Sequence, residues 1–188
     1  MTAEDVLSVL ALLRRAEVDV WIGGGWGTDV LIGEQTRQYR DLDLMHRQSQ
    51  EAAVVAALSD ASFEESLSWR PIRFAVTAPD GREIDLHSLV FADDGAAIQA
   101  SPDAGCPFIY TSSCFVTGTI EGVPVPCLSA EQQVHFHQGY EFTDRDRHDM
   151  PQFRRAHAVG RRTAPRRRSG RRARGTAAHG ASTATANG

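Results

Sequence analysis

The sequence predicts an α+β domain over residues 1–150 followed by a basic tail over residues 151–188 that is too poor in apolar residues to fold. Three observations lead there. Short runs that alternate apolar and polar residues, such as Ile84-Asp85-Leu86-His87, read as half-buried strands, while alanine- and leucine-rich runs with apolar residues three and four apart read as helices. The two kinds of segment are interleaved with tight turns at Gly23 to Gly25 and at Asp80-Gly81, the latter a strong hairpin signal. The charge also changes sign at the boundary. All twenty basic residues are arginine, and ten lie in 151–188, which has no acid; residues 1–150 set the other ten against twenty-four acidic residues, a net −14 hidden by the overall −4.

Thr2 and Asp5 make a capping-box pattern ahead of Val6, Leu7, Val9, Leu10, Leu12 and Leu13 at helical spacing, which predicts the first helix. Val18 to Ile22 is a buried strand, and the glycine triplet leads into a short helix, Trp26 to Leu31, that stops at Gly33. A polar loop with Arg37 and Arg40 reaches a second strand. Side chains alternate along a strand, so Asp41 and Asp43 share one face while Leu42 and Leu44 point into a core. Gln48 to Leu58 is a helix with Ser49 as its cap, and Phe63–Trp69 and Ile72–Thr77 are strands. The Asp80-Gly81 hairpin returns the chain along Ile84 to Val90, with Ile84, Leu86 and Ser88 on one face and Asp85 and His87 on the other. Asp93 to Gly105 is a loop covering one edge of a site; Tyr110–Val116, Gly118–Ile120 and Val123–Cys127 are short strands; Ser129 and Gln132 cap a helix over Ala130–Gln138.

Composition excludes several classes. Cys106, Cys114 and Cys127 have no CxxC spacing and read as idle or buried thiols of a reducing compartment, so the expected location is the cytoplasm. No apolar run approaches the roughly 20 residues of a membrane span, and no secretory leader is seen, so no membrane partner is expected. His135 and His137, two apart on a helix, face different directions and do not make a zinc clamp. P-loop chemistry is excluded because no GxxxxGK[ST] pattern occurs and the chain has no lysine. The tail reads as an appendage rather than a nucleic-acid arm, so nucleic acid is not an expected partner.

The chemistry concentrates in Val18 to Leu44 and Asp85. Two carboxylates about 6–7 Å apart at the backbone repel each other unless a cation lies between them. Oxygen ligands on a rigid strand suit Mg²⁺, which takes one or two carboxylates and completes its shell with water and phosphate oxygens. A glycine bend opening a helix lets a phosphate approach backbone N–H groups. Attack by a hydroxyl on phosphorus requires a base, and Asp85 is the carboxylate available for it.

GGGW at 23–26, RDLDL at 40–44 and IDL at 84–86 together resemble the pattern of the nucleotidyltransferase superfamily. The likeness extends over roughly Glu4 to Met150 through GGWGTDVL, WRPIR, IDLH, DDGAAIQASPDAG, VPCLS and FHQGY. There it resembles the small lincosamide nucleotidyltransferases, and more distantly the aminoglycoside 2''-nucleotidyltransferases. The resemblance implies a polymerase-β-like nucleotidyltransferase fold, a mixed β-sheet flanked by helices. It implies transfer of AMP from ATP to a lincosamide hydroxyl, with release of pyrophosphate. Mg²⁺ would be held by Asp41, Asp43 and Asp85, with Asp85 also the base; Gly24, Gly25 and Arg40 would meet the nucleotide; Arg73, His87, His137 and Tyr140 would meet the antibiotic. It also suggests a homodimer. Two other acceptors stay open: an aminoglycoside, which the acidic body and Asp144, Asp146 and Asp149 would attract, and a protein, as in antitoxin-like nucleotidyltransferases.

Overall fold

The structure, a computed structural model, describes residues 1–103 and 105–136. His137, Tyr140, Asp144, Asp146, Asp149 and the 151–188 tail lie outside the described residues. Helix α1 (Ala3–Arg15) starts on the expected capping box: the Asp5 amide donates to Thr2 Oγ1 at 3.2 Å and the Thr2 amide to Asp5 Oδ2 at 2.8 Å. Strand β1 (Val20–Ile22) is followed by α2 (Gly24–Ile32), which closes on Gly33 in the left-handed region, and by β2 (Asp41–Arg47). Next come α3 (Glu51–Asp60), β3 (Glu64–Trp69), β4 (Arg73–Thr77), β5 (Glu83–Phe91), β6 (Ala97–Gln99) and β7 (Phe108–Tyr110). Strands β8 (Phe115–Ile120) and β9 (Val123–Leu128) and helix α4 (Ala130–Phe136) complete the described chain.

The strands form one mixed sheet in the order β3-β4-β5-β2-β1-β9-β8, from which β6 and β7 branch off the far end of β5. β2 and β5 run parallel at its centre, whereas β1 is antiparallel to β2 and parallel to β9. On one face, Val6 and Leu13 of α1 and Val54 and Leu58 of α3 pack in a single cluster with Leu42, Leu44, Phe74, Ile84 and Leu86 of the sheet. A smaller cluster of Met45, Leu89, Ala97, Tyr110, Cys114 and Leu128 supports the branch. No helix among the described residues is long and apolar enough to cross a membrane.

Several boundaries differ from the sequence expectation. α2 begins at Gly24 rather than Trp26, so two of the three glycines form its first turn. Ser49 lies in a 3-10 turn over Gln48–Gln50, and α3 starts after it without a side-chain cap. The segment expected as a loop over Asp93–Gly105 contains β6, whose Ala97 and Ile98 pair with Phe91 and Val90. A 3-10 turn at Ser112–Cys114, closed by the Cys114 amide donating to the Thr111 carbonyl at 2.9 Å, splits the expected Tyr110–Val116 strand. Gly118, expected to start a strand, lies inside β8, where α2 crosses it closely. The Ser129 cap does form: the Gln132 amide donates to Ser129 Oγ at 3.3 Å, though the Gln132 side chain turns to Cys114 Sγ instead.

A Cβ at Gly118 would lie 2.4 Å from the Val30 carbonyl oxygen, so any side chain there must push β8 off α2. Gly118→Ala is expected to destabilise the fold by about 1–3 kcal/mol in urea unfolding. Gly105→Ala, where the nearest atom would be 3.4 Å away, should stay within about 0.5 kcal/mol.

Candidate active site

The site follows from the pairing of β2 with β5. The two strands are parallel and in register, with Asp41 opposite Glu83, Asp43 opposite Asp85, and Met45 opposite His87. Leu42, Leu44, Ile84 and Leu86 are all fully buried on the helix-covered face. Because alternation is strict, the intervening acids must emerge together on the other face. Asp41, Glu83 and Asp85 each place one carboxylate oxygen so that all three oxygens lie within 4.8 Å of one another.

Asp43 stands beside this trio with its two oxygens turned to different neighbours. Oδ1 is 3.6 Å from His87 Nε2. Oδ2 lies against Gly24, where a Cβ would sit only 1.9 Å from it. Gly24 has φ +57°, a left-handed conformation that glycine takes without steric penalty, and no other residue leaves room for the carboxylate. The Gly23 amide donates to the Asp43 carbonyl at 3.0 Å, so the bend that opens α2 is bonded directly to the acid strand. The positive end of the α2 dipole thus faces the carboxylates. Gly25 abuts the Tyr39 ring, over which the Arg37 guanidinium stacks at 4.0 Å. The preceding loop is pinned to α2 by Asp29, which accepts from the Thr36 amide and hydroxyl, each at 2.7 Å.

Asp85 is the carboxyl of the face most closely held by its neighbours. Burial raises its pKa above the ordinary value, Asp43 raises it further, and Arg73 and His87 act against both. Arg73 Nη1 is 2.5 Å from Asp85 Oδ1, and the guanidinium stacks over the half-exposed Trp69 ring at 4.8 Å. Arg40 is largely exposed and pairs with Glu83 at 2.8 Å, which makes its guanidinium more basic still. Four carboxylates (Asp41, Asp43, Glu83, Asp85) thus face two guanidinium partners (Arg40, Arg73), an excess of two negative charges. A divalent cation fits that excess and that all-oxygen donor set.

Of the residues singled out in the sequence, Asp41, Asp43, Asp85, Gly24, Arg73 and His87 meet on this face. Arg40 joins it through Glu83, and Gly25 faces Tyr39 beside it. Sequence reasoning misses Glu83, although the alternation that exposes Asp85 and His87 extends back to it. It also misses Gln99, whose side-chain nitrogen is 3.0 Å from His87 Nδ1, for want of any signal in a segment that reads as loop.

A family model described as aminoglycoside-2''-adenylyltransferase matches residues 5–153. The chain is 31% identical over 150 residues to a lincosamide resistance protein of Staphylococcus haemolyticus, covering 80% of this chain and 92% of that protein. It is 31% identical over 127 residues to a 2''-aminoglycoside nucleotidyltransferase of Escherichia coli, covering 65% of each. Among solved structures it is similar to the lincomycin-bound lincosamide antibiotic adenylyltransferase LnuA, with a TM-score of 0.75 at 30% identity over 82% of this chain and 97% of that one. A likeness of fold alone links it to ANT(2'')-Ia in complex with adenylyl-2''-tobramycin, with a TM-score of 0.62 at 21% identity over 84% and 88% of the two chains. The mixed sheet flanked by helices is therefore a nucleotidyltransferase fold, and the chain belongs to the aminoglycoside-2''-adenylyltransferase family of nucleotidyltransferase enzymes.

Proposed function

We propose that this enzyme moves AMP from ATP to a hydroxyl of a lincosamide antibiotic, using Mg²⁺ held by Asp41, Asp43 and Asp85. The observation that carries the choice of acceptor is extent of likeness. Alignment spans 92% of the lincosamide resistance protein but 65% of the aminoglycoside enzyme, and the lincomycin-bound neighbour is matched over 97% of its chain. An aminoglycoside is the second reading, favoured by the −14 of residues 1–150, which attracts a polycation. Net charge does not locate a pocket, so the likeness supports the lincosamide more. The catalytic unit in this reading is residues 1–150, with the tail an appendage; association as a homodimer in the cytoplasm belongs to the same proposal.

Asp41, Glu83 and Asp85 bring oxygens within 4.8 Å of one another, and Asp43, opposite Asp85 in the register, stands beside them; these are the oxygens that would hold the metal. Bound there, Mg²⁺ would neutralise the triphosphate and polarise the phosphoryl oxygen at the reacting centre. The chain supplies the rest. The N–H groups at Gly24 and Gly25, at the positive end of α2, receive the β- and γ-phosphates, with no side chain to hold them away. Arg40, on its exposed edge of the face, adds a guanidinium to the triphosphate. Asp85 accepts the proton of the acceptor hydroxyl through the oxygen not engaged by Arg73. The hydroxyl oxygen bonds to the α-phosphorus, the bond from that phosphorus to the bridging oxygen breaks, and pyrophosphate leaves. Without metal, burial and Asp43 raise the pKa of Asp85; its role as base rests on its place on the acid face, with one oxygen left free by Arg73. Arg73 keeps the carboxylate pointed while Trp69 offers its ring beside it to the acceptor.

Mass spectrometry of lincomycin and kanamycin after incubation with ATP and Mg²⁺ tests the acceptor. AMP is expected on lincomycin; AMP on kanamycin alone would transfer the assignment to aminoglycosides. Asp85→Asn is expected to lower kcat by about 10²–10⁴-fold at saturating Mg²⁺, the usual contribution of a general base, with little change in the KM for ATP under that condition; activity within tenfold of wild type would remove Asp85 from that role.

The same carboxyl makes a prediction about stability without metal. The folded pKa of Asp85 lies above its ordinary value, so the folded state binds this proton more tightly than the unfolded chain does. Stability from this group is therefore greatest at low pH and falls as pH rises from the unfolded value towards the raised folded one. In EDTA, Asp85→Asn should melt higher than wild type at pH 7, and the gap should narrow towards pH 4. Mg²⁺ should raise the wild-type Tm, by about 2.7 kcal/mol of stability at a hundred times its Kd, and should do so less in the variant.

A further inference from the structure

His87 lies on the acid face two residues beyond Asp85, but its ring reaches in two directions. Nε2 is buried, makes no hydrogen bond among the described residues, and points at Asp43 Oδ1 from 3.6 Å. Nδ1 is 3.0 Å from Gln99 Nε2. Which ring nitrogen carries the proton is set by what Gln99 presents to it.

The other contacts of Gln99 settle its orientation. The side chain is 5% exposed, so its polar atoms must be satisfied by protein groups. Its amide nitrogen is 3.1 Å from the Ile72 carbonyl oxygen, which can only accept, and its Oε1 receives the hydroxyl of the fully buried Tyr110 at 2.5 Å. The two amide hydrogens are thereby assigned, one to Ile72 and one to His87 Nδ1. Turning the carboxamide over would set its oxygen against the Ile72 carbonyl. Nδ1 must accept, and neutral His87 must carry its proton on Nε2, the nitrogen that faces Asp43.

We propose that Gln99, backed by Tyr110, is a positioning residue. It fixes His87 as the Nε2–H tautomer, and His87 then donates to Asp43 Oδ1 and holds that carboxylate turned between His87 and Gly24. This rests on the reading of Asp43 as a metal ligand. The 3.6 Å separation is a few tenths of an ångström too long for a hydrogen bond, a gap that a small rotation of the Asp43 carboxylate closes. Donors that orient a ligating carboxylate typically change metal affinity or activity by about 10–100-fold when removed. The branch of the sheet thereby acquires a role at the site, since β6 contributes Gln99 and β7 contributes Tyr110, and through them it reaches the acid face.

Histidine ¹⁵N NMR of the full chain, at a pH where imidazole is neutral, measures the tautomer directly. Wild type should show His87 protonated on Nε2 alone. Gln99→Glu keeps the shape and the acceptor for Tyr110 but cannot donate to Nδ1, so it should abolish the Nε2-only form. The same variant should raise the Mg²⁺ concentration for half-maximal thermal shift by about 10–100-fold and for half-maximal transfer likewise, with the KM for ATP at saturating Mg²⁺ within about threefold of wild type. Tyr110→Phe, which leaves the Ile72 and His87 contacts intact, should keep the tautomer. An Nδ1–H tautomer in wild type overturns the proposal, as does Gln99→Glu with tautomer and Mg²⁺ requirement unchanged. If Gln99→Glu prevents folding, the wild-type tautomer decides alone. A chain that adenylylates no antibiotic would sink the assigned acceptor while leaving the tautomer and the metal-dependent thermal shift to be read.

Discussion

The parallel, in-register pairing of β2 with β5 is the constraint on which the rest depends. Leu42, Leu44, Ile84 and Leu86 lose all contact with solvent, and burying each is worth about 1.5–3 kcal/mol. A slip of one residue in either strand would reverse its faces, taking two of these side chains out of the core and setting two acids in their place. The core therefore holds Asp41, Asp43, Glu83 and Asp85 together, although their mutual repulsion alone would drive them apart. Arg40 and Arg73 offset part of that repulsion from opposite ends of the cluster. The residual negative charge suits the face to a cation.

The same alternation separates two histidines with different physical situations. His46 lies on the helix side of β2, fully buried between Ser88 and Glu51, where loss of solvent depresses its pKa. Its surroundings, including Arg70 on Glu51 at 2.7 Å, form a polar cluster that ties α3 to the sheet. His87, on the acid side of β5, is placed between Asp43 and Gln99 instead. One strand period thus divides a structural histidine from one that meets the chemistry.

Much of the fold was legible from local pattern. The capping box at Thr2, the alternation of Asp41-Leu42-Asp43-Leu44, the Gly33 stop and the Asp80-Gly81 turn each rest on a few adjacent residues, and each appears where expected. The departures are places where a distant contact outweighs local preference. β6 exists because Val90 and Phe91 outrun β2 and offer a free edge to Ala97 and Ile98. Gly118 continues a strand because it pairs with Val125 of β9, and Val30 of α2 leaves no room there for a side chain. The start of α2 at Gly24 follows from the Gly23 amide bonding to β2, which turns the glycines into the helix.

The sequence by itself determined that Asp41 and Asp43 share a face, that Asp85 and His87 do so on their own strand, that a glycine bend precedes the first pair, and that residues 151–188 differ in character from the rest, because strand periodicity, glycine sterics and charge are local properties. Only the tertiary structure decided that Glu83 joins Asp41 and Asp85, that Asp43 turns to His87 and Gly24, and that Arg40 spends its charge on Glu83. Those relations depend on strand register and on side chains brought together from separate segments of the chain, which no local pattern encodes.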